Sequence, residues 1–402
     1  MKNIIGKYLV VSALIMIALL VGCSKGVLDI SDKMTDYVAM GASDSIDPGS
    51  GGGDVAPGGQ TFESGVVTAA EWNDIDNWQF WGSLQNNQEW AAYASYWKFY
   101  PYNYVYLELT GTDSKPAAGV KAVLRKDGKD VWTAISDNAG SAVLWASLTE
   151  PAYNIAEGYT LEVAGRQVGE FEFTTLSSSA PVVNSISVAP AKKDNAIDVA
   201  FIVDATGSMG DEIGFLKKDL EDIIHLVGQQ CTAKVRTGCV FYRDEGDEYI
   251  TKTSQFTSKL EATKKFISEQ EASGGGDWPE AVHTALAEGL QGLSWSSDAR
   301  SRVAFLVLDA PAHHEDDIIA SCQKSIAEYA KLGIKIVPVS ASGIDKACEY
   351  LLRSFALGTN GTYVFITNDS GVGNEHIEAT VGEYQVEKLR DLIARLIIAY
   401  AK

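Results

Sequence analysis

Three oxygen-bearing side chains stand at alternate positions of one short loop in the C-terminal half of the chain. Asp204, Thr206 and Ser208 follow the mostly apolar run Asp198–Val203, which has the composition of a buried strand. At this spacing one carboxylate and two hydroxyls can face a common point. Hard divalent cations such as Mg²⁺ prefer oxygen ligands in compact shells and keep several of their waters. The loop therefore predicts part of a divalent-cation site.

Two further acidic residues stand where they could complete this site. Asp309 ends the apolar run Val303–Leu308, and Asp277 lies in the glycine-rich segment Gly274–Glu280. A compact shell could draw on both carboxylates if the fold brings these segments together. The predicted site residues are therefore the loop of the first strand, Asp277 and Asp309.

From Ala196 onward, strand-like and helix-like patterns alternate. Strands are predicted at 197–203, 234–242, 249–256, 303–308, 335–339 and 363–366, and helices at 211–227, 259–269, 279–290, 316–332, 345–355 and 384–400. Continuous apolar strands joined by helices are typical of a parallel sheet covered on both faces. We therefore predict a doubly wound α/β domain with a mostly parallel sheet over 196–402. Ligands of such sheets bind beyond the carboxyl ends of the strands.

The first loop resembles the metal-ion-dependent adhesion site of von Willebrand factor type A domains, whose first element is Asp-x-Ser-x-Ser. Asp204, Thr206 and Ser208 match that element with one hydroxyl exchanged for another. Asp309 matches the aspartate that the family has at the end of the fourth strand. The family's middle threonine is replaced by Asp277, as in a subgroup of bacterial and alpha-kinase-linked A domains. The resemblance covers residues 196–402.

This resemblance implies a bound Mg²⁺ ion, with Ca²⁺ or Mn²⁺ as alternatives, and a protein partner whose carboxylate completes the metal shell. It implies no catalytic residues, so we expect a binding module and not an enzyme. With Asp277 as a third carboxylate, mutual repulsion would make the fold depend on the cation. The same charge would weaken the attraction of the cation for an acidic partner.

Local explanations exist for the same residues. Ser208 fits the cap of a helix that begins near Asp211, Asp277 and Glu280 fit a capping box, and Asp309 fits a turn at a strand end. Their coincidence with the positions of the family motif favours the metal site over these alternatives.

Four residues beside the motif are expected at the rim of the site. Arg243 and Asp244 close the second strand and are expected as a buried pair that shapes the site. His313 and His314 follow the fourth strand and are candidates for contact with a partner or a second ion.

The first residues predict export. An apolar run that follows two lysines ends at Leu20-Val21-Gly22-Cys23, which resembles the bacterial lipobox. We therefore predict a signal peptide over 1–22, lipidation of Cys23, and a flexible tether over 23–60. This implies an extracytoplasmic lipoprotein of the cell envelope, at the outer membrane or the cell surface. An ordinary signal peptide that contains Cys23 is the alternative.

Residues 61–180 are predicted to form an aromatic strap followed by a small all-β sandwich, with a linker over 181–195. Short alternating stretches at 104–109, 120–124, 159–163 and 170–173 predict its strands. The stretch 119–148 resembles the carboxypeptidase regulatory-like modules of bacterial surface proteins, which implies a spacer or docking role.

The strap is rich in tryptophan. Trp72, Trp78 and Trp81 are expected to pack on the following sheet, because buried aromatic rings carry the largest apolar area. The alternative is a carbohydrate-binding surface led by these three rings.

Charge and cysteine usage limit the remaining classes. A formal net charge of −20 makes nucleic-acid binding unfavourable. Cys231, Cys239, Cys322 and Cys348 could form disulfides in an exported protein, although Cys322 lies in a helical pattern and is expected in the core.

One enzymatic alternative is a metal-dependent phosphatase. The pattern Asp204-x-Thr206-Gly207 is similar to the aspartyl-phosphate loop of haloacid-dehalogenase-type phosphatases. That chemistry needs a matching lysine and a separate acidic pair, and the sequence shows neither at the expected places.

Overall fold

The computed structural model describes residues 67–401, apart from 152–154, 156, 190, 192, 277 and 369–376. The chain divides into two compact units between Gly58 and Gly59, and the described residues all belong to the second unit. The predicted signal peptide, Cys23, the tether and Asp277 lie outside the described residues. Of the described helices, none has both the length and the apolar character needed to cross a membrane.

A large sheet of eight strands forms the centre of the C-terminal half. Its strands are β1 (Thr68–Trp72), β9 (Asp194–Asp204), β10 (Lys234–Tyr242), β11 (Thr251–Thr257), β12 (Ala299–Leu308), β13 (Ile334–Ser340), β14 (Tyr363–Ile366) and β15 (Glu387–Lys388). Their order is β11-β10-β9-β12-β13-β14-β1-β15, and the five strands from β10 to β14 in this order are parallel. The predicted mostly parallel α/β sheet is confirmed.

Helices cover both faces of this sheet. The helices are α1 (Trp78–Leu84), α2 (Gln88–Trp97), α3 (Gly210–Gln230), α4 (Leu260–Ser268), α5 (Val282–Gln291), α6 (Asp316–Leu332), α7 (Lys346–Gly358) and α8 (Leu389–Ala401). Phe201 and Val203 of β9 belong to the core that α3, α4 and α8 cover. Ile202 faces the opposite side, where a Cβ atom on Gly289 of α5 would lie 2.5 Å from its Cδ1 atom. Burial on both faces explains the continuous apolar runs of these strands.

A small sandwich lies between β1 and β9 in the sequence. Its strands are β2 (Tyr104–Gly111), β3 (Lys121–Lys126), β4 (Lys129–Ile135), β5 (Ser141–Trp145), β6 (Tyr159–Val163), β7 (Arg166–Val168) and β8 (Val183–Val188). They form a three-stranded sheet in the order β5-β2-β8 and a four-stranded sheet in the order β4-β3-β6-β7. The expected all-β module is therefore present as two sheets.

Two segments of the module differ from the prediction. The segment 181–195, predicted as a linker, contains β8, which pairs in parallel with β2. The segment 170–173, predicted as a strand, is not one, because the Asn184 side chain takes the place of a neighbouring strand. Its Oδ1 atom accepts from the Glu172 backbone N–H at 2.8 Å, and its Nδ2 atom donates to the Glu172 carbonyl at 2.9 Å.

The tryptophan-rich segment belongs to two different packing environments. Strand β1 joins the large sheet antiparallel to β14, with Trp72 opposite Tyr363. The expected packing on the sandwich is confirmed for Trp78, whose ring lies 4.7 Å from that of Tyr104. Trp81 instead packs against Tyr350 of α7 at 5.6 Å.

The carbohydrate-binding alternative is not compatible with this packing. Trp78 and Trp81 are fully buried, and Trp72 is 7% exposed. Stacking on a sugar requires an open ring face, so these three rings cannot form the surface that this alternative needs.

The cysteines of the C-terminal half are all free thiols. Cys239, Cys322 and Cys348 are buried, and Cys231 is half-buried. The disulfides that export would permit are not formed, and the expected place of Cys322 in the core is confirmed.

A buried ion pair connects the strap to α7. Two nitrogens of the Arg353 guanidinium donate to the Asp74 carboxylate, Nη2 to Oδ1 at 2.5 Å and Nε to Oδ2 at 2.9 Å. Its Nη1 atom lies 3.2 Å from Glu349, and the side chains of Arg353 and Glu349 are fully buried. Removing one partner of a buried ion pair strongly lowers the stability of the fold, because water cannot reach the remaining charge and replace the carboxylate.

This pair gives a direct stability test. We expect Asp74→Ala to lower the free energy of unfolding by about 3–5 kcal/mol, since Arg353 would keep a buried charge with fewer partners. Glu71 forms an exposed pair with Arg395 at 2.7 Å, so Glu71→Ala should cost less than about 1 kcal/mol. Urea unfolding of both variants measures the difference. Equal losses would show that the Asp74 pair does not anchor the strap.

Candidate metal centre

The carboxyl ends of two neighbouring strands bring the first and last predicted residues together. Strands β9 and β12 run parallel, with Val203 opposite Val307. Asp204 ends β9, and Asp309 follows the last residue of β12. Both carboxylates therefore stand at the same edge of the sheet, as the strand pattern predicted.

The first loop is organised by hydrogen bonds to Asp204. Its Oδ1 atom accepts from the Thr206 backbone N–H at 2.8 Å and from the Thr206 hydroxyl at 2.7 Å. The Thr206 and Ser208 hydroxyl oxygens lie 3.5 Å apart. The structure thus joins Asp204, Thr206 and Ser208 by contacts and places Asp309 at the same edge of the sheet, and the exposed Ser208 opens this group to solvent.

The alternative role of Ser208 as a helix cap is not observed. A 3₁₀ turn over Gly207–Met209 precedes α3, whose N-cap is Met209 without a side-chain cap. The Ser208 hydroxyl oxygen lies 3.5 Å from the hydroxyl oxygen of Thr206 instead.

Both aspartates are buried, and each retains an unused oxygen. Asp204 is fully buried and Asp309 is 6% exposed. Within the described ranges, Asp204 Oδ2 and Asp309 Oδ1 have no hydrogen-bond partner, and the nearby Tyr242 hydroxyl is out of bonding geometry. Buried acceptors without a donor are costly. The two oxygens are therefore suited to a cation.

Burial changes the protonation of these groups. It raises the pKa of Asp204 to about 7; the charge of Asp309 adds to this rise, and the hydrogen bonds from Thr206 oppose it. Burial also raises the pKa of Asp309, and the nearby Ser208 hydroxyl opposes this rise. Burying two like charges together without a counter-ion favours their protonated forms.

A third buried carboxylate lies in the site and was not predicted there. Glu280 is 4% exposed, and its backbone N–H donates to the Pro311 carbonyl at 2.9 Å. Burial, followed by the charge of Asp204, raises the pKa of Glu280 to about 9. Sequence reasoning placed Glu280 in a capping box, but α5 begins only at Val282. No local pattern signals its true place, because its neighbours come from the segment after β12.

The glycine-rich loop that contains Gly274 and Gly275 packs against the loop of Asp204, Thr206 and Ser208. The Gly207 backbone N–H donates to the Gly274 carbonyl at 3.1 Å. Gly274 and Gly275 have φ values of 84° and 73°, which favour glycine. A Cβ atom on Gly275 would lie 3.0 Å from Glu280 Oε1 and 3.2 Å from Thr206 Cβ. The glycine therefore permits the loop to approach the acidic side chains.

The expected rim residues are buried but do not pair with one another. The Arg243 guanidinium donates to the carbonyls of Ala205 at 3.2 Å and Glu271 at 2.9 Å. Asp244 instead lies 2.7 Å from His313 Nε2. Arg243 thus holds two backbone segments of the site together, and its Nη1 atom lies 3.7 Å from Glu248 Oε2.

His313 and His314 have partners within the chain. His313 binds Asp244, and the ring of His314 stacks on Tyr96 of α2 with centroids 3.6 Å apart. These contacts place α2 against the segment that follows Asp309. They explain both histidines without a second ion.

The residues present fit a hard cation. The available donors are carboxylate and hydroxyl oxygens, which Mg²⁺, Mn²⁺ and Ca²⁺ prefer. Among the residues that the structure describes, however, no three His, Cys, Asp or Glu side chains are grouped closely enough to hold an ion alone. Hydroxyls and water would therefore supply much of the shell, as is usual for Mg²⁺.

Comparison with known proteins agrees with this architecture. Residues 198–342 match the family model of the von Willebrand factor A domain, so the chain carries such a domain. The putative ariadne-like RING finger protein R811 of Acanthamoeba polyphaga mimivirus is 34% identical over 122 residues, which are 30% of this chain and 12% of that protein. Alpha-protein kinase vwkA of Dictyostelium discoideum is 29% identical over 126 residues, 30% of this chain and 20% of that protein. The chain thus spans a fifth or less of these two relatives.

Solved structures also show some similarity to this chain. The structure of von Willebrand factor type A from Catenulispora acidiphila covers 75% of this chain and 50% of its own, with 14% sequence identity and a TM-score of 0.33. The predicted resemblance to von Willebrand factor type A domains is confirmed by the family model.

The raised pKa values predict how the metal-free protein responds to pH. Asp204 and Glu280 bind protons more tightly in the folded state than in the unfolded chain, where carboxyl pKa values are about 4. Their contribution to stability is complete below about pH 4 and is lost as the pH rises through 7 and towards 9. The melting temperature in EDTA should therefore fall between pH 5 and 8, and Asp204→Asn should reduce this fall.

The exposed Asp317 of α6 provides the control. Asp317→Asn should leave the wild-type dependence on pH unchanged. If the melting temperature of Asp204→Asn fell with pH as steeply as that of wild type, Asp204 would not be the cause of the pH dependence.

Proposed function

We propose that the chain binds a protein partner through a divalent cation held at the carboxyl ends of β9 and β12. One observation carries this proposal: buried oxygens of Asp204 and Asp309 lack partners beside hydroxyls that open to solvent at Ser208. A cation would satisfy these oxygens and leave coordination positions on the solvent side. An acidic side chain of the partner is the expected ligand there.

Mg²⁺ is the proposed resident ion, with Ca²⁺ and Mn²⁺ as alternatives. Asp204, Thr206, Ser208 and Asp309 would hold it, and Asp277 is proposed as a further ligand. The bound ion would supply a positive centre for an oxygen ligand of the partner. These side chains would orient the ion, and the burial of Asp204 and Asp309 would limit its access to water.

A binding role suits the geometry better than an aspartyl-phosphate enzyme. Such an enzyme needs an accessible nucleophilic carboxylate. Asp204 is fully buried, and its Oδ1 atom already accepts two hydrogen bonds from Thr206. We therefore propose a non-catalytic module.

The location proposed for this module is the cell envelope. The lipobox-like sequence that ends at Cys23 supports a lipid anchor, and the Gly-rich tether over 23–60 would separate the site from the membrane. In this arrangement the solvent-facing edge of the large sheet is available to partners outside the cytoplasm.

Calorimetry tests the cation site. Wild-type protein should bind Mg²⁺, Mn²⁺ or Ca²⁺ with a measurable heat, and Asp204→Ala should abolish it. Asp317→Ala removes an exposed carboxylate from α6 and should bind like wild type. Equal and negligible binding by wild type and Asp204→Ala would refute the proposal.

A capture experiment tests the second part of the proposal, the binding of a protein partner through the cation. Immobilised wild-type protein should retain a partner from envelope extracts in Mg²⁺ and release it in EDTA, whereas Asp204→Ala should retain none. Retention that is independent of both the metal and Asp204 would separate partner binding from this site.

A further inference from the structure

A cleft with a volume of about 790 Å³ lies at the outer edge of the large sheet, beside the end of β1. The end of β1 with the strap that follows it, the segment 383–387 and the C-terminal part of α8 form its walls. Thr362, which also lines it, directly precedes β14. Strand β14 is parallel to the strands that hold the metal centre at their carboxyl ends. The cleft therefore lies at the opposite end of the sheet and is separate from that centre.

The outer edge of β1 is paired over only part of its length. Strand β15 pairs with the first residues of β1, and the segment 383–386, which precedes β15, is not a strand. On this edge the Val67 carbonyl accepts from the Leu389 N–H at 2.9 Å. Backbone directions alternate along a strand, so Glu71 directs its own N–H and carbonyl to the same edge, where it lines the cleft. An extended segment could pair there as a further strand.

The cleft is acidic. Four of its lining residues are carboxylates, Glu71, Asp76, Glu383 and Glu387, and one, Arg395, is basic. Arg395 pairs with Glu71 at 2.7 Å and with Glu387 at 3.1 Å. The exposed Asp76 and Glu383 are thereby left without a basic partner in this lining. A basic ligand would meet carboxylates that are not neutralised, whereas an acidic ligand would be repelled.

Apolar and aromatic surface accompanies these charges. Tyr384 and Val386 line the cleft and are 42% and 43% exposed. The Tyr384 ring packs edge-on against Phe365, with centroids 5.0 Å apart. An exposed aromatic ring attracts a lysine or arginine side chain through its π face. The neighbouring Lys335 does not supply this cation, because it pairs with Asp137 at 3.1 Å.

A buried hydroxyl in the cleft lacks a partner. Thr362 is 2% exposed, and within the described part of the chain its Oγ1 atom has no hydrogen-bond partner. Buried polar groups of native proteins are nearly always bonded to protein, water or ligand. The hydroxyl is therefore available to a polar group that enters the cleft.

We propose that this cleft binds an extended segment of a partner protein that carries lysine or arginine side chains at alternate positions. The backbone of the segment would pair with the free edge at Glu71, which gives affinity, and its side chains would give specificity. Alternate side chains of a strand face the same side, so its cations would reach Asp76, Glu383 and the Tyr384 ring together. The hydroxyl of Thr362 would bond a polar group of the segment.

A labelled peptide of alternating lysine and valine residues tests the cleft by fluorescence anisotropy. It should bind wild-type protein equally well in Mg²⁺ and in EDTA, and more weakly as the salt concentration rises. A glutamate–valine peptide of the same length should not bind. Failure of the lysine peptide to bind, or equal binding of both peptides, would overturn the proposal. Because binding is measured in EDTA, the result does not depend on the cation site.

Charge variants locate the binding. The double variant Asp76→Asn/Glu383→Gln should bind the lysine peptide about tenfold more weakly, because two carboxylates at the cleft lose their charge. Asp317→Asn/Glu170→Gln is the matched control, since it removes the same charge from exposed residues outside the cleft. It should bind like wild type. An equal loss in both double variants would reveal general attraction to an acidic protein and would contradict a site in the cleft.

Thr362→Val tests the buried hydroxyl, because it keeps the shape of the side chain. It should bind the peptide about fivefold more weakly, as is typical when one hydrogen bond is lost. In urea it should unfold at the same or a higher concentration than wild type, because an unpaired buried hydroxyl is removed. Wild-type peptide affinity in this variant would exclude Thr362 from the site.

Two further probes separate strand pairing from charge alone. A lysine–valine peptide with methylated backbone nitrogens lacks the donors of a strand and should bind about tenfold more weakly. Spermine carries positive charge without a peptide backbone and should bind more weakly than the parent peptide. If spermine or the methylated peptide bound as tightly as the parent peptide, addition of a strand at Glu71 would be refuted.

Discussion

Repulsion between buried carboxylates is the constraint on which the rest of this site depends. Strands β9 and β12 are neighbours in parallel register, so Asp204 and Asp309 must end at the same edge. Glu280 is brought to them by its backbone contact with Pro311. Taking several like charges out of water without a counter-ion is strongly unfavourable. The buried carboxylates are stable together only when they are protonated or when a cation is bound between them.

The surrounding structure keeps these carboxylates together in spite of their repulsion. The large sheet is covered by helices on both faces, so the strand ends cannot move apart independently. The loops are joined by backbone contacts, such as Gly207 to Gly274, and Arg243 bridges two further carbonyls. Packing and hydrogen bonds elsewhere thus maintain an acidic centre, which is how binding sites commonly store unfavourable energy.

The segments before the A domain are part of the same compact unit. Strand β1 extends the large sheet, and Arg353 binds Asp74 next to it. Helix α2 reaches the edge that carries the site, where Tyr96 stacks on His314. The N-terminal segment therefore braces the chain immediately after Asp309.

Local patterns in the sequence were sufficient for the α/β domain and for the first and last site residues. Apolar runs with the period of strands located β9, β10, β12 and β14 closely, because residues buried on both faces leave an unbroken apolar signal. Asp204, Thr206, Ser208 and Asp309 follow such runs directly, so their positions at strand ends could be derived without coordinates. The spacing of one short loop sufficed to bring its hydroxyls to one carboxylate.

Only the tertiary structure decided the features that depend on distant neighbours. Glu280 reaches the site through Pro311, β1 pairs with β14, and β8 pairs with β2 across most of the sandwich sequence. Trp81 packs on Tyr350 instead of on the sandwich. Each of these contacts joins residues tens to hundreds of positions apart, and none changes the local periodicity. The sequence around Glu280 is that of a helix start, and only its neighbours make it a buried carboxylate.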